Sequence, residues 1–115
     1  MKTLLSLMFM LGATISTSAQ KTPSVALTKF TTSAICGECK ERIEKALNYS
    51  KGVVYAELNM ENKELTVKYK TKLLTEQKVK EIVTGLGYKA GDIERNLAAF
   101  KELPKCCQEP GFCKD

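Results

Sequence analysis

Two neighbouring stretches in the middle of the chain alternate apolar and polar residues with a period of two. Their apolar members are Val54, Ala56, Leu58 and Met60 in the first stretch and Leu65, Val67 and Tyr69 in the second. Successive side chains of a strand point to opposite faces of a sheet, and the two stretches are joined through Glu61-Asn62-Lys63. The pattern predicts a β-hairpin with one buried face, which the rest of the chain has to cover.

Helical periodicity occurs on both sides of this hairpin. The apolar positions are Cys39, Ile43, Ala46 and Leu47 before it and Val79, Ile82, Val83 and Leu86 after it. Spacings of three and four residues place each set on one face of a helix. The first helix is predicted to end within residues 48–52, and the second to begin at a Thr75 cap and to stop at Gly85 and Gly87.

Two further strands complete the predicted fold. Residues 25–32 alternate, with Ala26, Thr28 and Phe30 on one side, and a short strand is expected at residues 88–93. The order βαββαβ, with right-handed crossovers, indicates an α+β ferredoxin-like sandwich in which both helices lie on one face of an antiparallel sheet. The 115 residues suffice for one domain and not for two, and we place it at residues 20–95.

The first 19 residues have the character of a signal peptide. Lys2 supplies positive charge, an apolar run extends from Leu4 to Ile15, and Thr17-Ser18-Ala19 offers small residues for cleavage. The run is shorter than the roughly 18 to 20 residues that a membrane span needs. We therefore expect cleavage after Ala19 and export of the mature protein to the periplasm.

The composition removes several classes of function. The chain has no His, so Ser-His-Asp catalysis, Cys-His catalysis and His-rich zinc sites are excluded. Its 18 Lys and Arg against 13 Asp and Glu give a net charge of +5, but the lysines are interleaved with glutamates, so no nucleic-acid partner is expected. The five cysteines remain as the candidates for chemistry.

Cys36 and Cys39 form a Cys-x-x-Cys pair on what we expect to be an exposed loop at the start of the first helix. Both sulfurs can point to the same side there, and the N–H groups of a helix N-terminus stabilise thiolates. Two thiolates bind a soft d¹⁰ ion such as Cu(I) or Hg(II), whereas a loop without His or Asp suits tetrahedral Zn(II) poorly. A redox pair and a structural disulfide are the alternatives.

Residues 96–115 form a Cys-rich C-terminal extension. One or two helical turns are predicted for residues 97–103, ending before Pro104, and no regular structure is predicted for residues 105–115. That last stretch contains Cys106, Cys107 and Cys113. We expect these sulfurs either to form a second soft-metal site or to lie on a flexible arm that supplies a third thiolate to the Cys-x-x-Cys pair. A disulfide of Cys113 with one of the other two is the alternative.

The βαββαβ order with Cys-x-x-Cys between the first strand and the first helix resembles the heavy-metal-associated domain family. The matching residues are Thr32–Cys39 in the loop, Gly52-Val53 and Leu58-Asn59 in the second strand, Leu65–Val67 in the third and Leu86-Gly87-Tyr88 before the last. Together with the expected export, the resemblance implies a monomeric carrier, not an enzyme, that captures Cu(I) or Hg(II) at Cys36 and Cys39. It also implies transfer to a membrane metal transporter or metal-transporting ATPase. A thiol-disulfide redox protein that uses the same pair is the alternative function.

The loop departs from the family's Gly-Met-Thr-Cys-x-x-Cys pattern at two positions. Ser33 stands at the Gly position and Ala34 at the Met position, so the apolar tether that the Met supplies is weaker or is replaced by Ile35. The family also has an aromatic or Lys side chain close to the metal after the second helix. Tyr88 matches this position, and the resemblance implies that it shields the thiolates; an aromatic side chain that merely fills the core is the alternative interpretation.

Overall fold

The computed structural model describes residue 12 and residues 24–111. Its elements are β1 (Val25–Thr31), α1 (Gly37–Asn48), β2 (Val53–Asn59), β3 (Glu64–Lys70), α2 (Glu76–Gly85), α3 (Leu97–Glu102) and α4 (Lys105–Gln108). The predicted signal peptide, Gly12 apart, and Cys113 lie outside the described residues. Within the described part, no helix combines the length and the apolar character that crossing a membrane requires.

The predicted hairpin is formed by β2 and β3. β1 pairs with the other edge of β3, so the antiparallel sheet has the order β1-β3-β2. Leu58 pairs with Leu65 and Ala56 pairs with Val67, and all four side chains are buried. One face of the hairpin therefore lies in the core, as the alternation predicted.

One position of the hairpin differs from the prediction. Val54 was predicted on the buried face, but 47% of its surface is exposed. The pairing of β2 with β3 shifts register between Val53 and Tyr55, and such an irregularity interrupts the alternation, so the side chains before it face opposite to what the residues after it predict. Val53 consequently packs against the core in place of Val54.

Both helices cover the same face of the sheet, as predicted. The large buried side chains are Phe30 from β1, Ile43 and Leu47 from α1, Leu58 from β2, Leu65 and Val67 from β3, and Val79 and Val83 from α2. Full burial of such a side chain contributes roughly 1.5–3 kcal/mol, so this core fixes the helices on the sheet. The Thr75 side chain caps α2 as predicted, because it accepts a hydrogen bond from the Lys78 N–H at 3.1 Å.

The predicted fourth strand does not form in the described residues. Ala90 makes only isolated bridges, with Thr32 and with Ile93. Ala90 and Ile93 exchange backbone hydrogen bonds of 3.1 and 2.9 Å, and Gly91 between them has a φ of +57°. This tight turn reverses the chain directly after Ala90, before a strand can extend. The ferredoxin-like α+β arrangement is thus confirmed in a βαββα form with three strands.

The C-terminal extension packs on the domain. α3 ends before Pro104, as predicted, and Leu103 is buried. Residues 105–108 were predicted to be irregular, but they form α4, in which Cys107 is buried. Proline is well suited to precede a helical turn, and the Cys107 N–H donates to the Pro104 carbonyl at 2.8 Å. Pro104 therefore ends α3 and also begins α4.

Gly87 marks the contact between α3 and the domain. Its φ is +102°, and a Cβ built there would lie 2.8 Å from the Phe100 Cα. The Asn96 N–H also donates to the Thr84 carbonyl at 3.0 Å, next to this contact. Glycine alone allows both the backbone conformation and the close approach, so the position of the extension depends on Gly87.

Gly87→Ala is expected to lower the free energy of unfolding by about 1–3 kcal/mol through backbone strain. The contact of the new side chain with Phe100 adds to this loss. Gly85→Ala is the matched control, since its Cβ would have no neighbour within 4 Å. It should be neutral or stabilise α2 by up to about 1 kcal/mol. Urea unfolding measures both, and equal stabilities would contradict the close packing of α3 on Gly87.

Candidate metal centre

Hydrogen bonds hold the loop that precedes α1. The Thr32 N–H donates to the Lys63 carbonyl at 2.8 Å, and the Thr32 hydroxyl accepts from the Ala34 N–H at 3.3 Å. The Ser33 N–H donates to the Lys89 carbonyl at 3.3 Å, and the Ser33 hydroxyl accepts from the Lys89 N–H at 2.8 Å. The loop is therefore tied to the hairpin turn and to the segment after α2.

Apolar contacts add to these hydrogen bonds. Ala34, at the position where the family has Met, is 1% exposed and belongs to the core. Ile35 is half-buried and packs against the same core. Both side chains hold the loop down, and Ile35 lies where an apolar tether was predicted.

Cys36 and Cys39 meet at the N-terminus of α1. The Cys36 carbonyl accepts from the Lys40 N–H at 3.2 Å, so the helix begins at Gly37 and Cys39 falls in its first turn. The two Sγ atoms are 3.7 Å apart, well beyond the about 2.05 Å of a disulfide bond. The loop was expected to be exposed, which is wrong for its sulfurs, because Cys36 is 6% exposed and Cys39 is fully buried.

Two sulfurs of the C-terminal extension account for part of this burial. The Sγ atoms of Cys36, Cys106 and Cys107 all lie within 4.8 Å of one another, and those of Cys106 and Cys107 are 3.9 Å apart. The Cys36 thiol donates to the Cys106 carbonyl at 3.3 Å. The structure thus brings Cys106 and Cys107 to the Cys-x-x-Cys pair and does not place them in a separate cluster, while Cys113 lies outside the described residues.

Tyr88 borders the sulfur cluster from the core side. Its side chain is 1% exposed, and its hydroxyl makes no hydrogen bond within the described residues. Burial, and then the proximity of the Cys107 and Cys39 sulfurs, raises the pKa of this phenol far above its ordinary value. The side chain therefore fills the core and also directs a neutral O–H donor towards sulfur.

The thiols of the extension are held in their protonated form. Burial raises the pKa of Cys107 to about 12. Burial, followed by the Glu38 carboxylate, raises the pKa of Cys106 above its ordinary value, and the Cys106 Sγ lies 3.8 Å from the Glu38 Oε2. A metal ion that binds these sulfurs has to displace their protons.

The donors gathered here are those of a soft-metal site. Sulfur ligands select ions such as Cu(I), which bind thiolates more strongly than oxygen donors. Sequence reasoning named the tail cysteines but left their position open, because 70 residues separate Cys36 from Cys106. The only signal was the concentration of three cysteines in residues 106–113.

A model of the heavy-metal-associated domain matches residues 30–89 of this chain. A copper chaperone CopZ from Staphylococcus aureus (strain bovine RF122 / ET3-1) is 38% identical over 53 residues, which make up 46% of this chain and 78% of the relative. The matched residues include the Cys-x-x-Cys loop and end before the C-terminal extension.

Two solved structures have the same fold. The N-terminal domain of a potential copper-translocating P-type ATPase from Bacillus subtilis, in its Cu(I)-loaded state, superposes with a TM-score of 0.55 and 33% identity, covering 63% of this chain and 99% of its own. A CopZ metallochaperone superposes with a TM-score of 0.54 and 29% identity, covering 56% of this chain and 98% of its own. These relatives are metallochaperones and metal-binding domains, so the prediction that the chain is not an enzyme is confirmed.

Tyr88→Phe is expected to leave the metal-free protein at least as stable as the original, because a buried hydroxyl without a partner costs roughly 1–3 kcal/mol. Tyr55→Phe, at an exposed position of β2, is the matched control and should change the free energy of unfolding by less than about 0.5 kcal/mol. Urea unfolding of both variants measures this. A loss of more than about 1 kcal/mol in Tyr88→Phe alone would mean that the hydroxyl has a stabilising partner.

Proposed function

This chain belongs to the heavy-metal-associated domain family, and we propose that it binds a soft metal ion at Cys36 and Cys39 and passes it to a partner protein. The observation that carries the proposal is the 3.7 Å separation of the two sulfurs at the N-terminus of α1 in this fold. Two thiolates positioned in advance bind one ion with a chelate advantage over separate thiolates.

Cu(I) is the cargo that we propose. One similar structure is a Cu(I)-loaded ATPase domain and another relative is a copper chaperone. Cu(I) prefers thiolate ligands and accepts low coordination numbers, and a chain without histidine offers no imidazole that would favour other ions. Hg(II) shares these preferences. Measuring how strongly each ion displaces the other from this protein shows which of the two it binds more tightly.

Transfer proceeds by exchange of ligands. A thiolate of the partner forms a new bond to the bound ion, one sulfur of this protein then leaves the ion and takes up a proton, and no cysteine changes its oxidation state. Cys36 and Cys39 are 6% and 0% exposed, which is too little for direct attack. The site therefore has to open before the ion can leave.

A membrane metal transporter or metal-transporting ATPase is the recipient that we propose. The support is the similarity to the N-terminal domain of a potential copper-translocating ATPase, which covers 63% of this chain. Two domains with the same fold can present their ion sites to each other in equivalent orientations, which suits a stepwise exchange of sulfur ligands.

In a chain that carries Cys106→Ser and Cys107→Ser, so that only the pair is left, Cys36→Ser and Cys39→Ser are each expected to weaken Cu(I) binding by at least about a hundredfold. Even partners outside the coordination sphere contribute ten- to a hundredfold. Competition with a colorimetric Cu(I) chelator, without oxygen and under reducing conditions, measures the affinity. Glu41→Gln changes an exposed α1 side chain in the next turn and serves as the control, with an affinity within about threefold of the original.

Two results would count against this function. Original affinity and stoichiometry in both cysteine variants would remove Cys36 and Cys39 from the site. Catalysed reduction of a disulfide substrate by a protein that takes up no Cu(I) would favour the thiol-disulfide redox alternative.

Export is proposed from the sequence of residues 1–19 alone, with its Lys2, its apolar run and its cleavage signal at Ala19. We expect the mature protein in the periplasmic fraction of an expressing cell to begin at Gln20. Intact mass measurement of the protein from that fraction tests this. A chain that keeps residues 1–19 and stays in the cytoplasmic fraction would refute the proposal.

A further inference from the structure

We propose that residues 97–108 act as a thiolate cap, in which Cys106 and Cys107 complete a three-sulfur site with Cys36 that retains the ion until the cap lifts. The inference rests on the proposed function, since it concerns the same ion. It adds a retention site that the Cys-x-x-Cys pair alone does not provide. The match to the family domain ends at residue 89, so the cap is an addition to that domain.

The sulfur positions carry the first step. With metal–sulfur bonds of about 2.3 Å, three sulfurs around one ion lie about 4.0 Å apart, whereas two sulfurs on opposite sides of it lie about 4.6 Å apart. The Cys106 and Cys107 sulfurs are 3.9 Å apart, and both lie within 4.8 Å of the Cys36 sulfur. This spacing is close to what a three-coordinate ion needs.

The Cys-x-x-Cys pair itself is too close for linear coordination. Its sulfurs are 3.7 Å apart, so a linear site would require them to separate by about 0.9 Å, given the same bond length. A site made of Cys36, Cys106 and Cys107 removes that requirement, because the ion then no longer has to lie between the Cys36 and Cys39 sulfurs. Cys36 belongs to both the pair and the triangle, which makes it the shared ligand.

A shared ligand allows the ion to move without being released. Starting from the Cys36–Cys39 pair, the ion forms bonds to the Cys106 and Cys107 sulfurs, and each of these thiols gives its proton to solvent. The bond to Cys39 then breaks and Cys39 takes up a proton. The ion and all sulfurs keep their oxidation states throughout.

Packing positions the cap in advance. Leu103 and Cys107 are buried, the Phe100 backbone lies against Gly87, and the Arg95 guanidinium stacks 4.5 Å from the centre of the Phe100 ring. The ligand sulfurs are thus placed by apolar contacts that do not require the ion, which reduces the entropy lost when the ion binds.

The Tyr88 hydroxyl is an independent indication of a ligand at this place. It is almost completely buried, faces the Cys107 and Cys39 sulfurs, and has no hydrogen-bond partner within the described residues. A buried donor of this kind is costly. When an ion binds, the neighbouring thiols become thiolates, which are strong acceptors, and the hydroxyl gains the partner that it lacks in the metal-free protein.

The experiment compares the mature chain with the double variant Cys106→Ser/Cys107→Ser. Cu(I) affinity is measured by chelator competition, the number of sulfur ligands by X-ray absorption, and the rate of transfer to excess chelator by stopped flow. We expect the double variant to bind at least about tenfold more weakly, to have two sulfur ligands in place of three, and to release the ion faster.

Two further variants keep the test interpretable. Cys107 is buried, so its replacement can disturb packing, whereas Cys106 is only half-buried and Cys106→Ser is expected to keep the native circular dichroism spectrum while losing a ligand. Glu109→Ser changes an exposed residue next to α4 and should match the original protein in all three measurements.

Several outcomes would overturn the cap. Unchanged affinity and ligand number in the double variant, together with lost binding in Cys36→Ser, would refute the cap and leave the proposed function in place. An ion shared between two protein copies in native mass spectrometry, or a quantitative Cys106–Cys107 disulfide in protein from its native compartment, would also refute it. Failure of the original chain to bind Cu(I) would refute the proposed function as well.

Discussion

Burial of the single apolar face of the sheet is the constraint on which the remaining structure depends. β3 lies between β1 and β2, and its Leu65 and Val67 are completely buried. Ile43 and Leu47 anchor α1 on that face, and Cys39 lies one turn before Ile43 on the same helical face. The packing of the core therefore also determines where the helix N-terminus and its two sulfurs lie.

The same burial shapes the chemistry of the cysteines. Removing a thiol from water disfavours its charged form, and the raised pKa values of Cys106 and Cys107 follow from this. Cys106 and Cys107 are thus neutral thiols, and the cluster that they join lies between the N-terminus of α1 and the Tyr88 hydroxyl. A cation compensates for the loss of the thiol protons, so the cluster suits an ion better than it suits bare thiolates.

Retention and transfer place opposite demands on a carrier. A closed site with several sulfurs holds its ion tightly but prevents a partner's thiolate from reaching it, whereas an open pair exchanges quickly and holds less firmly. The exposure of Cys36 and Cys39 indicates the closed arrangement. α4 is a single short turn beyond the family domain, and its Cys107 belongs to the same core as α1 and α2, so opening the site exposes part of that core.

The sequence by itself determined the features that depend on local order along the chain. The alternation in β2 and β3, the spacing of apolar residues in α1 and α2, the Thr75 cap and the position of Cys36 and Cys39 at a helix start all follow from neighbouring residues, since strand and helix periodicity are local properties. The Cys-x-x-Cys pair could be located for the same reason, and its soft-metal chemistry is inferred from the type of its ligands.

Only the tertiary structure decided the remaining features. The register shift that exposes Val54 depends on pairing with β3, and the turn at Gly91 that replaces the fourth strand depends on contacts with β1. The meeting of Cys106 with Cys36, 70 residues apart, depends on where Gly87 lets α3 approach the domain. No local pattern encodes these contacts, because each is set by the packing of segments that are distant in sequence.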